Sequence, residues 1–356
     1  MNPKTKKLKQ VESELKKILE SKKDRIKIIG LGGAGNNTIS RLMEVGVEGA
    51  ETIAVNTDAQ QLLYTNANRK LLIGKEITGG LGAGGDPEIG LEAAKESRDI
   101  IKKYLQDSDL VFITCGLGGG TGTGSAPIIA EVSKSLGALT VGVVTLPFDV
   151  EGENRIENAK RGLDRLREKV DTIIVIPNSK ILEVMPSAPM SVAFKSVDNI
   201  LVDAVKGITE LITKPGLVNL DFADVRAVMK NGGIAMIGLG QSNSGDRARE
   251  CVIRALNNPF LPLNIENATG ALINVIGGPD VTIKEAQEIV ETVSETMDEN
   301  ARIIWGARII PTLKTTIRTM LIVTGIKHSD IFEAKELRDW EKEELEKILG
   351  IDIVSD

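Results

Sequence analysis

The chain reads as an α/β protein: a Rossmann-like domain on a parallel sheet, a long central helix, and a smaller α+β domain after it. Three observations predict this. A short strand, Arg25–Gly30 (RIKIIG), and a continuous apolar run, Leu110–Cys115 (LVFITC), are each followed by a glycine-dense loop and then a helical pattern. Met190–Thr213 carries a broad apolar stripe at helical spacing. Beyond it, strand and helix patterns alternate with no further phosphate-type loop. The expected division is 25–189, a central helix over 190–213, and a second domain over 214–325, flanked by a basic extension (1–24) and an acidic tail (326–356).

The first strand runs into Gly30–Asn37 (GLGGAGNN), with a helix expected over Thr38–Met43. Alone, this is a dinucleotide fingerprint, for which Asp58 in AVNTD roughly fits as the ribose-binding acid. A further glycine-dense stretch, Gly79–Asp86 (GGLGAGGD), exceeds the needs of an ordinary turn. The densest follows LVFITC: GLGGGTGTG over 116–124, then a helix expected over Ala126–Leu136 with Pro127 in its first turn. A helix N-terminus leaves amide N–H groups free, and residues without a Cβ let the backbone close on phosphate oxygens. Candidate phosphate contacts are Gly32, Gly33 and Ala34; Gly82, Ala83 and Gly84; and Gly118, Gly119, Gly120, Thr121, Gly122 and Thr123. The lysine of a GxxxxGK[ST] loop is missing, so backbone and hydroxyls would do the cradling. One Rossmann half needs a single such loop, which weakens a NAD(P)-dependent oxidoreductase. Strands over Ala138–Leu146 and Thr172–Ile176 then lead into Pro147-Phe148, with Glu151 and Arg155 following, and into Pro177-Asn178.

At 24 residues and 1.5 Å per residue, Met190–Thr213 forms a helix of about 36 Å, stopped by Lys214-Pro215-Gly216. Near its start, Phe194 and Asp198 lie one turn apart. On residue types alone they are either a core phenylalanine beside a solvated aspartate, or a base-binding pair. In the second case Asp198 accepts from the N1–H and N2–H₂ of guanine while Phe194 stacks on the ring. Past the far end comes Asn219-Leu220-Asp221-Phe222-Ala223-Asp224-Val225, where Asp221 and Asp224 share a face if helical. Helix capping accounts for Asp221 and leaves Asp224 and Asn219 without a task. If a base binds at the start of the helix, these carboxylates are out of reach within one molecule. A second molecule stacked head-to-tail would supply them, and such a contact builds a filament. The second domain is expected as strand Ile234–Leu239, helix Asp246–Leu256, strand Ala271–Ile276, helix Thr282–Met297, and strands Ala301–Ala307 and Thr316–Thr324.

Composition narrows the classes. The chain has 356 residues, longer than one core usually serves, with 42% hydrophobic residues and 36 glycines. His328 is the single histidine, which excludes His-based triads and multi-His metal sites. Cys115 and Cys251 lie far apart, so a reducing, cytoplasmic setting is expected. No apolar run approaches the ~18 residues of a membrane span. The net charge of −6 is uneven: residues 1–27 carry +6 and the remainder −12. In the basic extension Leu8, Val11, Leu15, Ile18 and Leu19 share a helical face that suits docking on the body, a partner or filament contact, or a membrane surface. Interspersed acids and few aromatics argue against nucleic acid. In the acidic tail Leu337, Trp340, Leu345 and Ile348 suggest an amphipathic helix, either docked or tethered to a membrane adaptor.

GGGTGTG over 118–124 resembles the signature of the tubulin and cell-division GTPase superfamily, and NLDFADV over 219–225 closely resembles its bacterial and archaeal FtsZ family. The resemblance covers about 25–325. It implies that the ligand is GTP or GDP, with Asn36, Phe194 and Asp198 at the base and Glu151, Arg155 and Asn178 on the ribose side. A plain surface ion pair remains the alternative for Glu151 and Arg155. It also implies that Asp221 and Asp224, with Asn219 assisting, polarise or orient the water attacking the γ-phosphate of a neighbouring subunit. No protein metal ligand is implied; Mg²⁺ would be held mainly by phosphates and water. The long linker and adaptor-binding peptide of bacterial members are not evident, which points to an archaeal-type member. The expectation is a polymerisation-activated GTPase forming a head-to-tail homopolymer, cytoplasmic at the division site, with membrane-adaptor or division-ring partners. A non-hydrolysing, shape-determining tubulin relative is the other rival, opposed by the intact Asn219, Asp221 and Asp224.

Overall fold

The computed structural model describes residues 25–185, 187–262 and 264–332. The expected basic extension, and the tail residues expected to form an amphipathic helix, lie outside the described residues. Ten strands, β1 (Ile26–Leu31), β2 (Glu51–Asn56), β3 (Arg69–Leu72), β4 (Leu110–Gly116), β5 (Leu139–Leu146), β6 (Thr172–Pro177), β7 (Gly233–Ser242), β8 (Gly270–Gly277), β9 (Arg302–Ile309) and β10 (Ile317–Ile326), join in the order β3-β2-β1-β4-β5-β6-β7-β10-β8-β9. β1 to β6 are mutually parallel, as the apolar runs predict. β10 runs antiparallel to both β7 and β8, which makes the second half mixed.

One feature has no local sequence signal. β6 pairs with β7 in parallel, Thr172 to Gly233, Ile173 to Ile234 and Ile174 to Ala235, so both halves share one continuous sheet. The sheet carries a core on each face. In β1, Ile26 and Ile28 pack in one core, while Ile29 and Leu31 pack in the other. β4 repeats the alternation, with Leu110 and Phe112 against Val111, Ile113 and Cys115. Fully burying such a side chain contributes about 1.5–3 kcal/mol. The central helix, Met190–Thr213 as predicted, fills the first core through Val197, Ile200, Leu201, Val205 and Ile208. It lies beside the helix Gly32–Val45.

Two helices begin earlier than expected. The first starts at Gly32 rather than Thr38, and the second spans Thr121–Ser135 rather than starting at Ala126. Glycine is a poor helix former, but here close packing overrides propensity. A Cβ on Gly35 would lie 2.4 Å from the Thr114 carbonyl oxygen, and one on Gly124 would lie 2.0 Å from that of Pro87. Pro127 therefore stands in the helix interior, not its first turn, and leaves the Thr123 carbonyl without its usual i+4 donor.

Candidate functional site

Because β1, β4, β5 and β6 are parallel, their carboxyl ends lie on one edge of the sheet. Between β1 and β4 the strand order reverses, since β2 and β3 lie to one side and β5 and β6 to the other; this is where open α/β sheets bind ligands. Two helix N-termini meet there. A Cβ on Gly32 would lie 3.1 Å from the Gly122 backbone nitrogen. Both first turns present free amides and the positive end of a helix dipole.

The glycines divide by what they face. Gly120 is glycine for an internal reason: a Cβ would sit 2.8 Å from the Ala83 Cβ and 2.9 Å from the Asp86 backbone nitrogen and oxygen. The loop of Gly82, Ala83 and Gly84 is thereby packed onto the 118–124 loop. Gly33 lies against the Gln61 carboxamide, and the Ala34 Cβ sits 2.9 Å from where a Gly116 Cβ would be. Gly118 has φ +106° and backs onto the Arg155 carbonyl. Gly119 differs, because a Cβ there would meet nothing within 4 Å. The Thr123 hydroxyl accepts from the Gly118 N–H at 2.8 Å and so shapes the loop. Thr121 shares a 2.6 Å hydroxyl–hydroxyl bond with Thr57, which the sequence reading missed. The Thr57 carbonyl also accepts from the Gly82 N–H at 3.1 Å, tying two glycine loops together. Its place next to Asp58 in the AVNTD stretch was the available signal. Asp58 is a helix cap, accepting from the Gln61 N–H at 2.9 Å, so the ribose role allotted to it in a dehydrogenase reading meets a structural one.

A chain of contacts runs round the crevice from these loops. Gly118 touches Arg155, whose guanidinium pairs with Glu151 at 3.0 Å; the i,i+4 ion pair weighed as an alternative is thus present. The second oxygen of Glu151 accepts from the Phe148 N–H at 2.8 Å. Phe148 is buried and meets Phe194 edge-on, ring centroids 5.2 Å apart at 85°. Phe194 itself is 40% exposed and so is no plain core residue. One turn on stands Asp198, half-buried, with Thr38 and Arg41 of the facing helix near its carboxyl. Burial pushes its carboxyl up to about 6, against the opposing pull of the Thr38 hydroxyl and the Arg41 charge. Asn36 is 1% exposed, and neither its Nδ2 nor its Oδ1 has a partner; Asn178 is also buried, with Oδ1 unpartnered. Buried polar atoms are almost always satisfied, so three such atoms in one crevice fit a polar ligand. Open space at Gly119 and amides at two helix N-termini fit an anionic one.

Asn219, Asp221 and Asp224 are not brought to this crevice. They follow the central helix, whose end lies about 22 Å beyond Asp198 at 1.5 Å per residue. All three have structural partners, which corrects the expectation that capping leaves two of them idle. Asp221 caps the helix Phe222–Met229 by accepting from the Asp224 N–H at 2.9 Å, and the Asp224 carboxylate accepts back from the Asp221 N–H at 3.1 Å. Asn219 Oδ1 accepts from the Gly216 N–H at 2.6 Å. Asp221 and Asn219 are nonetheless exposed and Asp224 half-buried, and a carboxylate accepts more than one bond. The segment is pinned to β9 by an antiparallel bridge between Val218 and Ala307. Beside it, Glu210 pairs with Arg308 at 2.7 Å and Lys214 at 2.9 Å. Among the described residues, no group of three or more His, Cys, Asp or Glu is placed to hold a metal, and no helix is long and apolar enough to cross a membrane.

Comparison with known proteins agrees with this geometry. Residues 25–186 match the model of the Tubulin/FtsZ family GTPase domain, and residues 233–327 that of the FtsZ family C-terminal domain. The chain is 59% identical over 325 residues to Cell division protein FtsZ of Methanothermobacter thermautotrophicus, covering 91% of this chain and 85% of the relative. It is also 59% identical over 316 residues to Cell division protein FtsZ 1 of Methanocaldococcus jannaschii, covering 89% and 87%. A solved FtsZ dimer from M. jannaschii superposes with a TM-score of 0.85 at 56% identity, over 95% of this chain and 98% of that one.

Proposed function

This chain belongs to the FtsZ branch of the tubulin/FtsZ family of GTPases, and on that premise we propose that its GTP is bound by one subunit and hydrolysed with aspartates of the next. It is a GTP-hydrolysing, filament-forming cell-division protein. The observation that supports the shared site is a separation: the crevice and the aspartate segment stand at opposite ends of the central helix.

In this reading the paired helix N-termini and the backbone of 118–122 grip the phosphates, which is electrostatic stabilisation by preorganised donors. Asp198 accepts from guanine N1–H and N2–H₂. Adenine has no N1–H, and its exocyclic amine is elsewhere, so a half-buried carboxylate disfavours it. Asn36 supplies further base contacts, Phe194 stacks on the ring, and Glu151, Arg155 and Asn178 serve the ribose. The described residues offer no carboxylate cluster for a metal, so Mg²⁺ would be bound mainly by phosphate oxygens and water. When bound it offsets phosphate charge. Asp221 and Asp224 of the adjoining subunit orient a water in line with the γ-phosphorus. The water oxygen bonds to phosphorus as the bond to the β–γ bridging oxygen breaks, GDP leaves with that oxygen, and the water's proton passes to the carboxylate and on to solvent. A contact that joins two different faces does not close on itself, so the subunits build a filament. We place this filament in the cytoplasm at the division site, with a membrane-adaptor or division-ring partner to hold it there. The oxidoreductase reading is not favoured, since Asp58 caps a helix and the second phosphate loop would have no use.

The test is phosphate release from GTP against protein concentration, with ATP as control. Negligible turnover below a threshold and a linear rise above it is expected. Strict proportionality from zero would place the whole active site within one chain and end the shared-site mechanism.

A further inference from the structure

Thr57 directly follows β2 and Thr121 opens the helix Thr121–Ser135, and their hydroxyl oxygens lie 2.6 Å apart. Each hydroxyl carries one proton, so the pair holds two and spends one on the bond between them. Among the described residues neither hydroxyl has a further hydrogen-bond partner. Hydroxyls inside helices commonly turn back to the carbonyl one turn earlier, as Ser125 does to Thr121 at 2.6 Å and Thr209 does to Val205 at 2.7 Å. Thr121, at the start of its helix, makes no such bond among the described residues. Burial sets the direction of the shared bond. Thr57 is wholly enclosed, and a buried hydroxyl proton without an acceptor is costly, so Thr57 donates to Thr121. The Thr121 proton is then the one left over. It stands where the two helix N-termini meet, since a Cβ on Gly32 would lie 3.3 Å from the Thr121 Cβ. Two positive dipole ends at that place favour an anion as its acceptor.

We propose that Thr57 is a positioning residue for the nucleotide: its hydroxyl donates to Thr121 and thereby aims the Thr121 proton at a phosphate oxygen. The inference rests on the assignment of Thr121 and the 118–122 backbone to the phosphates. A hydroxyl that accepts one hydrogen bond becomes a stronger donor in the next, and an anion at the end of such a chain strengthens both bonds. Thr57 is itself held through its backbone. Its N–H donates to Asn56 Oδ1 at 2.9 Å, and its carbonyl accepts from the Gly82 N–H at 3.1 Å and from the Thr78 hydroxyl at 3.3 Å. The residue that anchors one glycine loop thus carries the hydroxyl that orients the phosphate donor of another. Thr57 does this without touching the nucleotide, so its whole effect on binding passes through Thr121.

The experiment is a double-mutant cycle on the full chain, reading the binding of GDP and of a slowly hydrolysed GTP analogue by calorimetry below the assembly threshold. Thr121→Val removes the donor itself and should weaken at least one of the two ligands roughly ten- to a hundredfold, as for a hydrogen bond to a charged group. Thr57→Val keeps the shape and should weaken the same ligand roughly three- to tenfold; Thr57→Ala should match it, and Thr57→Ser should recover most of the loss. On top of Thr121→Val, the Thr57→Val change should alter affinity by less than about twofold. A packing role would instead lower affinity by the same factor in both backgrounds, and that additive outcome overturns the inference. Wild-type binding by Thr57→Val and Thr57→Ala, beside a weakened Thr121→Val, overturns it too and leaves the phosphate assignment standing. Wild-type binding of both ligands by Thr121→Val also overturns it, and if Gly119→Ala then binds them equally well, the phosphate assignment falls with it.

Discussion

Substituting Gly119 by alanine separates what the glycine loop does for the fold from what it does for the ligand. Gly119 has a backbone conformation open to any residue, and an added methyl meets no atom within 4 Å. The fold should therefore tolerate it, and the less flexible unfolded chain adds about 0.4–1 kcal/mol of stability. In the crevice the same methyl takes the space into which a phosphate oxygen would fit. Losing one or two hydrogen bonds to a charged group, at about 1.5–3 kcal/mol each, weakens binding by roughly 3 kcal/mol, or on the order of a hundredfold. The neighbouring Gly120→Ala is the contrast, since its methyl would press within 2.9 Å of the Asp86 backbone and should lower stability with or without ligand. Calorimetric titration with GDP, together with thermal melts with and without it, reads both quantities. Gly119→Ala should melt at or slightly above the wild-type temperature without nucleotide and gain little from GDP. Wild-type affinity in Gly119→Ala would refute the placing of phosphates on this loop.

Three further outcomes follow from the same geometry. Asp224→Asn keeps an oxygen for the cap at Asp221, so it should polymerise and bind GTP while phosphate release falls at least about a hundredfold. Mixing it with Gly119→Ala chains should restore part of the turnover, because each supplies what the other lacks; a mixture as inactive as its components would count against hydrolysis in trans. Glu210 is opposed by burial, yet Arg308 and Lys214 outweigh this and hold its carboxyl below the ordinary range. A lowered carboxyl pKa contributes stability that is present above the unfolded pKa and lost as pH falls through the folded one. Glu210→Gln, which leaves the half-buried Arg308 without its counter-charge, should cost about 3 kcal/mol near neutrality and a few degrees of Tm, with the gap closing in acid; equal melting at pH 7 would dismiss the network as a strut. Burial pushes the Cys115 thiol up to about 12, so a thiol-reactive dye at pH 8 should label it only after denaturation, and prompt labelling of the folded chain would show that the strand beneath the phosphate loop is open.

The amino-acid order by itself determined the elements whose information is local. LVFITC is apolar on both faces and RIKIIG is rich in β-branched residues, and both became parallel strands with a core on each side. Met190–Thr213 has a helical stripe and a Lys-Pro-Gly stop, and it is a helix over that span. Glycine density marked the ligand edge, because residues without a Cβ are needed wherever backbone must come close. Tertiary structure decided which neighbour each glycine serves. Gly35 and Gly124 admit other backbone, Gly120 admits the adjacent loop, and Gly119 alone of these meets no atom. Sequence places Thr57 and Thr121 far apart, and only the parallel strand ends bring their hydroxyls to 2.6 Å. Asp221 and Asp224 were legible as a pair, whereas their mutual capping required a backbone turn that residue types do not specify. The joining of both halves through three residues of β6 and β7 had no signature, since pairing partners in a sheet are chosen by packing over the whole molecule. Local pattern dictates what a segment becomes; long-range packing dictates what it faces, and chemistry at a site depends on the second.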